Sequence, residues 1–120
     1  MNIDFSKELT IAKKAALEAG NFLKINENHL NKTLSSTNRD IKLQADIEAE
    51  KIIKNSIKKY SNFGILAEES GMSSEESAKT LWVVDPLDGT ANYSRNIPLC
   101  CVSIAVLSDS KPVLGVVYDF

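Results

Sequence analysis

Between residues 81 and 93 the chain reads Leu81-Trp82-Val83-Val84-Asp85-Pro86-Leu87-Asp88-Gly89-Thr90-Ala91-Asn92-Tyr93. Two carboxylates stand three positions apart, with the Leu87 carbonyl between them and the Thr90 hydroxyl just beyond. Further acids occur at Asp46 and at Glu68-Glu69. These are hard oxygen donors. Hard divalent cations choose oxygen, and Mg²⁺ in particular takes a few carboxylates while keeping room for water and phosphate oxygens. The chemistry such a set supports is phosphoryl transfer with two or more ions, Asp85 being placed to bridge two of them and the Leu87 carbonyl to serve as a neutral ligand. In that scheme the Thr90 hydroxyl aligns an attacking water, and Glu68 or Asp46 accepts its proton. Gly89, without a side chain, lets its own N–H and that of Thr90 approach a phosphate.

Each acid also has a plainer reading. Asp85 would end a strand, Asp88 would cap a helix, and Glu68-Glu69 would form a solvated turn with one carboxylate in water. Asp46 would open a helix, where the dipole favours an anion by about 0.3 to 1 kcal/mol. Two acids three apart, preceded by a strand and flanked by Pro, Gly and Thr, fit capping less economically than they fit a site.

The elements that must position these groups follow from periodicity. Leu81 to Val84 is an uninterrupted apolar run, which predicts a strand covered on both faces and ended by Pro86, with Asp88-Gly89 as a turn and Thr90 opening a helical turn. Gly64 to Ala67 predicts a second short strand that also runs into acids. Phe5, Leu9, Ala12, Ala16, Ala19 and Leu23 recur at steps of four and three, the face of a long helix reaching towards Asn28, and its small residues allow close packing. From His29 to Asp40 the sequence is polar and predicts a loop or irregular ribbon, with His29 at a surface or helix end. Ala49, Ile52, Ile53, Ile57 and Tyr60 mark one face of a second helix, so the two helices are expected to form an antiparallel pair. Met72 to Lys79 is a polar connection. Leu99 to Leu107 and Val113 to Tyr118 predict a hairpin through Ser108 to Pro112.

At 120 residues, 43% apolar and 25% charged, the chain has the make-up of one soluble domain or part of one. A net charge of -2 with dispersed lysines offers no basic field, so nucleic acid is not an expected partner. No apolar run has the length of a membrane span and no leader pattern opens the chain, so the expectation is no membrane association and a cytoplasmic location. The two cysteines, Cys100 and Cys101, are adjacent; neighbouring strand side chains point to opposite faces, so they read as small packed thiols rather than a disulfide.

Residues 85 to 93 match, throughout, the Asp-Pro-[Ile/Leu]-Asp-Gly-Thr motif followed by Asn and an aromatic that marks the inositol monophosphatase-like family, which the sequence resembles. Glu68-Glu69-Ser70 and the segment from Asp40 to Asp46 match in kind and order, so the resemblance covers essentially the whole chain. It implies Mg²⁺-dependent, lithium-sensitive hydrolysis of a small-molecule phosphate monoester by an activated water. By position it implies metal ligation by Glu68, Asp85, the Leu87 carbonyl and Asp88, catalytic roles for Asp46, Glu68 and Thr90, and phosphate binding by Gly89 and Thr90. The implied fold is an α/β (α+β) layered sandwich of the sugar-phosphatase kind, with paired N-terminal helices packed on a large antiparallel sheet. Lys42-Leu43 replace the Val-Thr that members often carry, and Ser35 replaces a lysine, departures that bear on a weak additional metal site. Members are roughly twice this length and dimerise, so residues 1–120 are expected to be the N-terminal part of a single domain, the C-terminal part with its Trp-Asp motif being absent, and the full-length protein a homodimer. Two other readings remain: an aspartyl-phosphate phosphatase, whose acids are usually two apart, and a non-catalytic fragment or binding module with an incomplete metal site.

Overall fold

The structure is a computed structural model describing residues 4–30, 33–36, 41–68, 70–72 and 79–120. The N-terminal periodicity folds as α1 (Ser6–Ile25), which buries Ala12, Ala15, Ala16, Ala19 and Leu23 and leaves Lys13, Lys14, Leu17 and Glu18 outside. Its end comes before Asn28 because Asn26 turns back on it: both the backbone N–H and the side-chain amide of Asn26 donate to the Phe22 carbonyl. A single turn, α2 (Glu27–Leu30), follows and carries His29 exposed at its end. The expected ribbon is a two-stranded antiparallel pair, β1 (Thr33–Ser36) with β2 (Ile41–Leu43); Asp40 and the side chains of Ser35 and Lys42 lie outside the described residues.

Helix α3 (Gln44–Lys58) buries Ala49, Ile53 and Ile57 as its spacing predicts. Tyr60 departs from that face. The helix has ended before it, and its half-exposed ring lies under the Lys14 ammonium, 5.2 Å from the centroid. Helix α1 packs against α3, and the two lie on a five-stranded sheet in the order β4 (Gly71–Met72), β3 (Gly64–Ala67), β5 (Thr80–Asp88), β6 (Cys101–Ser108), β7 (Lys111–Asp119). A short helix, α4 (Thr90–Ser94), leaves the end of β5. The hairpin from β6 to β7 turns through Asp109 and Ser110, both at positive φ (51° and 64°), the mirror-image turn that suits the twist of two-residue hairpins.

Three expectations about the sheet need correction. It is mixed rather than antiparallel, because β3 and β5 run parallel in the register Gly64↔Leu81 to Ala67↔Val84. The chain makes β4 on the far side of β3 and then returns to lay β5 along the near side in the same direction. Parallel pairing brings both acid-bearing strand ends to one edge, which antiparallel pairing would have sent apart. Secondly, β5 is not covered on both faces: Trp82 and Val84 are buried under the helices while Leu81 and Val83 remain partly open. Thirdly, Pro86 does not stop the strand. Pairing with β6 resumes at Asp88, after a register shift that accommodates the residue lacking an N–H.

The core lies between the helices and the inner sheet face, where Ile65, Trp82, Val84, Val102, Ile104 and Val106 pack below the alanines of α1 and the isoleucines of α3. Trp82 is entirely buried and its indole N–H donates to Ser61 Oγ at 3.0 Å, so its polar atom is satisfied. Gly20 lets β7 approach α1 closely: a Cβ there would strike the Tyr118 ring.

Candidate active site

Strand β5 explains how two acids three apart share one face. Regular alternation would send Asp85 and Asp88 to opposite sides of the sheet. The register passes from Asp85↔Ser103 to Asp88↔Cys101, three steps on β5 against two on β6. That extra residue is a β-bulge. It places Pro86 and Leu87 consecutively in the interior and returns Asp88 to the outer side, exposed, with Asp85 half-buried. The Leu87 N–H donates to Asp85 Oδ1 at 3.3 Å, so the first acid also steadies the turn that presents the second.

Gly89 then takes φ +91°, a left-handed conformation that favours glycine. A Cβ at Gly89 would lie 2.7 Å from the Leu99 carbonyl oxygen. The need for glycine therefore arises inside the chain, from its backbone and the 99–100 segment, in addition to any ligand. Asn92 holds the same segment, its amide donating to the Leu99 carbonyl at 2.9 Å.

Asp46, at the start of α3, is 2% exposed. One of its carboxylate oxygens accepts the Leu43 N–H at 2.9 Å, as a helix-start acid should. The other lies 3.1 Å from the Thr90 hydroxyl, joining two parts of the chain 44 residues apart. Thr90 Oγ1 is also 3.1 Å from the Leu87 carbonyl oxygen. Both partners are acceptors, so the single hydroxyl proton points towards this pair and the threonine lone pairs are left for another donor, such as water. The carbonyl of Leu87 has a second lone pair to offer elsewhere.

Glu68 follows β3 directly and is exposed, its N–H donating to the Val84 carbonyl at 3.3 Å. With Asp85 and Ser103 it rims a concavity of about 520 Å³ floored by Leu66, Val83 and Ala105. The structure thus brings Glu68 and Asp85 to one cavity, links Asp46, Thr90 and the Leu87 carbonyl, and sets Asp88 on the same sheet face. Glu69 lies outside the described residues. Among the described residues no three His, Cys, Asp or Glu side chains converge closely enough to hold a metal ion. The donors are all oxygen, which fits a hard cation.

Residues that sequence reasoning left out stand beside this set. Ser103 pairs with Asp85 across the strands, and Cys101 Sγ lies 3.8 Å from Asp88 Oδ2. Burial, and then the charge of Asp88, push the Cys101 thiol up, so it stays protonated at neutral pH. Both cysteines are free, as expected of packed thiols. Tyr93, seen in sequence only as part of the motif, is buried and donates from its hydroxyl to the Leu23 carbonyl at 2.7 Å, fastening α4 to α1. Burial raises its pKa well above that of a free tyrosine. The strand-like run from Leu99 to Leu107 placed β6; only the register could have shown that Ser103 and Cys101 face the acids. No helix among the described residues is long and apolar enough to cross a membrane.

The sequence is 38% identical over 117 residues to the Nus factor SuhB of Xylella fastidiosa, covering 92% of this chain and 41% of that protein. It is 43% identical over 81 residues to the inositol-1-monophosphatase of a Synechocystis species, covering 67% of this chain and 28% of that one. Among solved structures, the extragenic suppressor protein suhB from Bartonella henselae superposes with a TM-score of 0.86 at 38% identity, over 95% of this chain and 45% of the other. The chain therefore spans less than half the length of these relatives. A sequence model of the inositol monophosphatase family matches residues 4–120, and with the bulged strand, the Asp46 to Thr90 link and the shared sheet architecture this chain belongs to the inositol monophosphatase family.

Proposed function

We propose that this chain carries the carboxylate and water-orienting part of a site for Mg²⁺-dependent hydrolysis of a small-molecule phosphate monoester, within a domain of which residues 1–120 are the N-terminal part. The observation that supports it most directly is the pairing of Thr90 with buried Asp46, across 44 residues, beside acids gathered on one face. Glu68, Asp85, the Leu87 carbonyl and Asp88 would hold two or more Mg²⁺ ions. When bound, these supply charge to neutralise the phosphate and the oxygen that leaves.

The chain's own groups then divide the work. The Thr90 lone pairs accept a proton of the incoming water and so turn its oxygen towards phosphorus. As the P–O bond to water forms and the ester P–O bond breaks, the water proton passes to Glu68 or to the Asp46–Thr90 pair, and the ester oxygen takes a proton from solvent water to depart as the alcohol. The N–H groups of Gly89 and Thr90 orient the phosphate. Because the chain spans 41% of the Xylella relative's length, the 120-residue chain by itself is expected to turn over little.

The test is phosphate release from an inositol monophosphate with Mg²⁺, by a family-length protein in which residues 1–120 are continuous with the remaining portion of a relative. Asp85→Asn and Asp88→Asn should each lower kcat by about 100-fold, a loss of roughly 3 kcal/mol. Thr90→Ala should cost a similar factor through the misaligned water. Undiminished turnover in the Asp88→Asn protein would sink the assignment.

A further inference from the structure

Strand β3 ends in the turn that carries Glu68. Ala67 pairs with Gly71 on β4, so residues 68–70 alone connect the two strands. Gly71 stands at φ +73° in open space, so the tightness of the turn rather than crowding calls for glycine there. The support on the far side is slight, since β4 has two residues and lies at the edge of the sheet. A further hold comes from outside the sheet: the Lys54 ammonium, on α3, donates to Ser70 Oγ at 2.9 Å across 16 residues of chain.

Among the described residues Lys54 makes no ion pair, whereas Lys51, one turn earlier, is drawn to Glu48 at 3.6 Å. A hydrogen bond from a charged donor is stronger than one between neutral groups. Helix α3 therefore grips the site at two points. Its first turn carries Asp46, on which the Thr90 hydroxyl rests. Lys54 stands about 12 Å further along the axis, at roughly 1.5 Å per residue, and there it holds the Glu68 turn.

We propose that Lys54 is a positioning residue of the candidate site: by gripping Ser70 it fixes the turn that presents Glu68, so that α3 sets the spacing between Glu68 and the Asp46–Thr90 pair. This rests on the reading of Glu68 as a metal ligand. Lys54 acts through Ser70 and not on the reacting atoms. The sign of its effect separates positioning from charge. A lysine acting only through its charge repels a cation from the acids, and its loss tightens metal binding. A lysine that holds the turn does the reverse, because a released Glu68 must be ordered again each time the ion binds.

Hydrogen exchange and Mn²⁺ binding test it in the family-length protein that continues residues 1–120 with the remaining portion of a relative. Without metal, Lys54→Met and Ser70→Ala should each speed amide exchange in the peptide covering residues 64–72 by about twofold to tenfold, the worth of one hydrogen bond. Peptides from α1 should exchange as before. Mn²⁺, followed by the loss of its free-ion spin resonance signal, should bind about twofold to tenfold more weakly to each variant, and the double variant should be no weaker than either single one. Unchanged exchange in that peptide would overturn the proposal. So would Mn²⁺ binding that is equal or tighter in Lys54→Met, or losses that add in the double variant. Asp85→Asn is the control on the metal reading. If it abolishes Mn²⁺ binding while Lys54→Met does not weaken it, the positioning role alone falls. If Asp85→Asn leaves Mn²⁺ binding intact, the metal reading has failed, and the metal-free exchange still decides whether Lys54 holds the turn.

Discussion

On the helix-covered side of the five-stranded sheet, Trp82, Val102, Ile104 and Val106 have no solvent exposure, whereas on the opposite side Leu66, Val113 and Val117 lie open. The same strands supply both sides by simple alternation. Buried area, at about 25 cal/mol per Å² of apolar surface, holds the first side together. The second side carries Asp85, Asp88, Ser103 and the neighbouring Glu68. The core and the acids borne by the strands are thus separated by the thickness of a strand, and the Asp46–Thr90 link joins the two sides at the end of β5. The bulge between Asp85 and Asp88 is what keeps both acids on the chemical side.

Substitution should expose this asymmetry most plainly at Trp82. Trp82→Ala is expected to destabilise the chain by about 3 to 5 kcal/mol in urea unfolding, and Val117→Ala by about 0.5 kcal/mol or less. Comparable losses at the two positions would mean that the outer face is packed in solution.

A smaller effect is expected at Gly20. Alanine favours helix by about 1 kcal/mol over glycine, but its Cβ would drive into the Tyr118 ring, which is held by Phe120 beside it and by a hydrogen bond to Asn21. Overpacking of this kind costs about 1 to 3 kcal/mol, so Gly20→Ala should lose about 1 kcal/mol net in thermal melting. A rise in melting temperature would show that Tyr118 steps aside freely.

The smallest effect belongs to Tyr93, an ionisable group enclosed on the helix side. Its folded pKa is raised, by burial first and then by the charge of Glu27. A raised value means that the fold favours the neutral phenol, so its contribution is fully present below the unfolded pKa of about 10 and is lost as pH rises through the folded one. Stability measured by urea unfolding should fall with pH above about 10. The fall should be shallower in Tyr93→Phe; an identical slope would place the alkaline loss elsewhere.

What could be read from the sequence was whatever depends on neighbours along the chain. Alanines spaced by three and four announced the buried face of α1, and Asp-Pro-Leu-Asp-Gly-Thr announced both the turn and the family. What could not be read depends on strand partners. Nothing local to Gly64–Ala67 or Leu81–Val84 distinguishes parallel from antiparallel pairing, and that choice brings Glu68 to the same edge as Asp85. Pro86 looked like a strand end because its missing N–H is a local fact, while the pairing that resumes at Asp88 is a distant one. Asp46 shows the same division: its helix-start bond to Leu43 was foreseeable from position, and its bond to Thr90 required the fold.

The hydroxyl of Tyr93 rests on the carbonyl of Leu23, a partner 70 residues earlier in the chain. During synthesis α1 emerges long before the motif it will anchor. Its alanine face must wait for β5, α4 and β6 to be made before the last of these contacts can close. A peptide spanning only the Asp85 to Tyr93 motif would carry every candidate ligand in that motif and still lack the strut that sets the pitch of α4. The order in which the ribosome releases the chain therefore means that α1 and α4 can be joined only after the motif itself has been made.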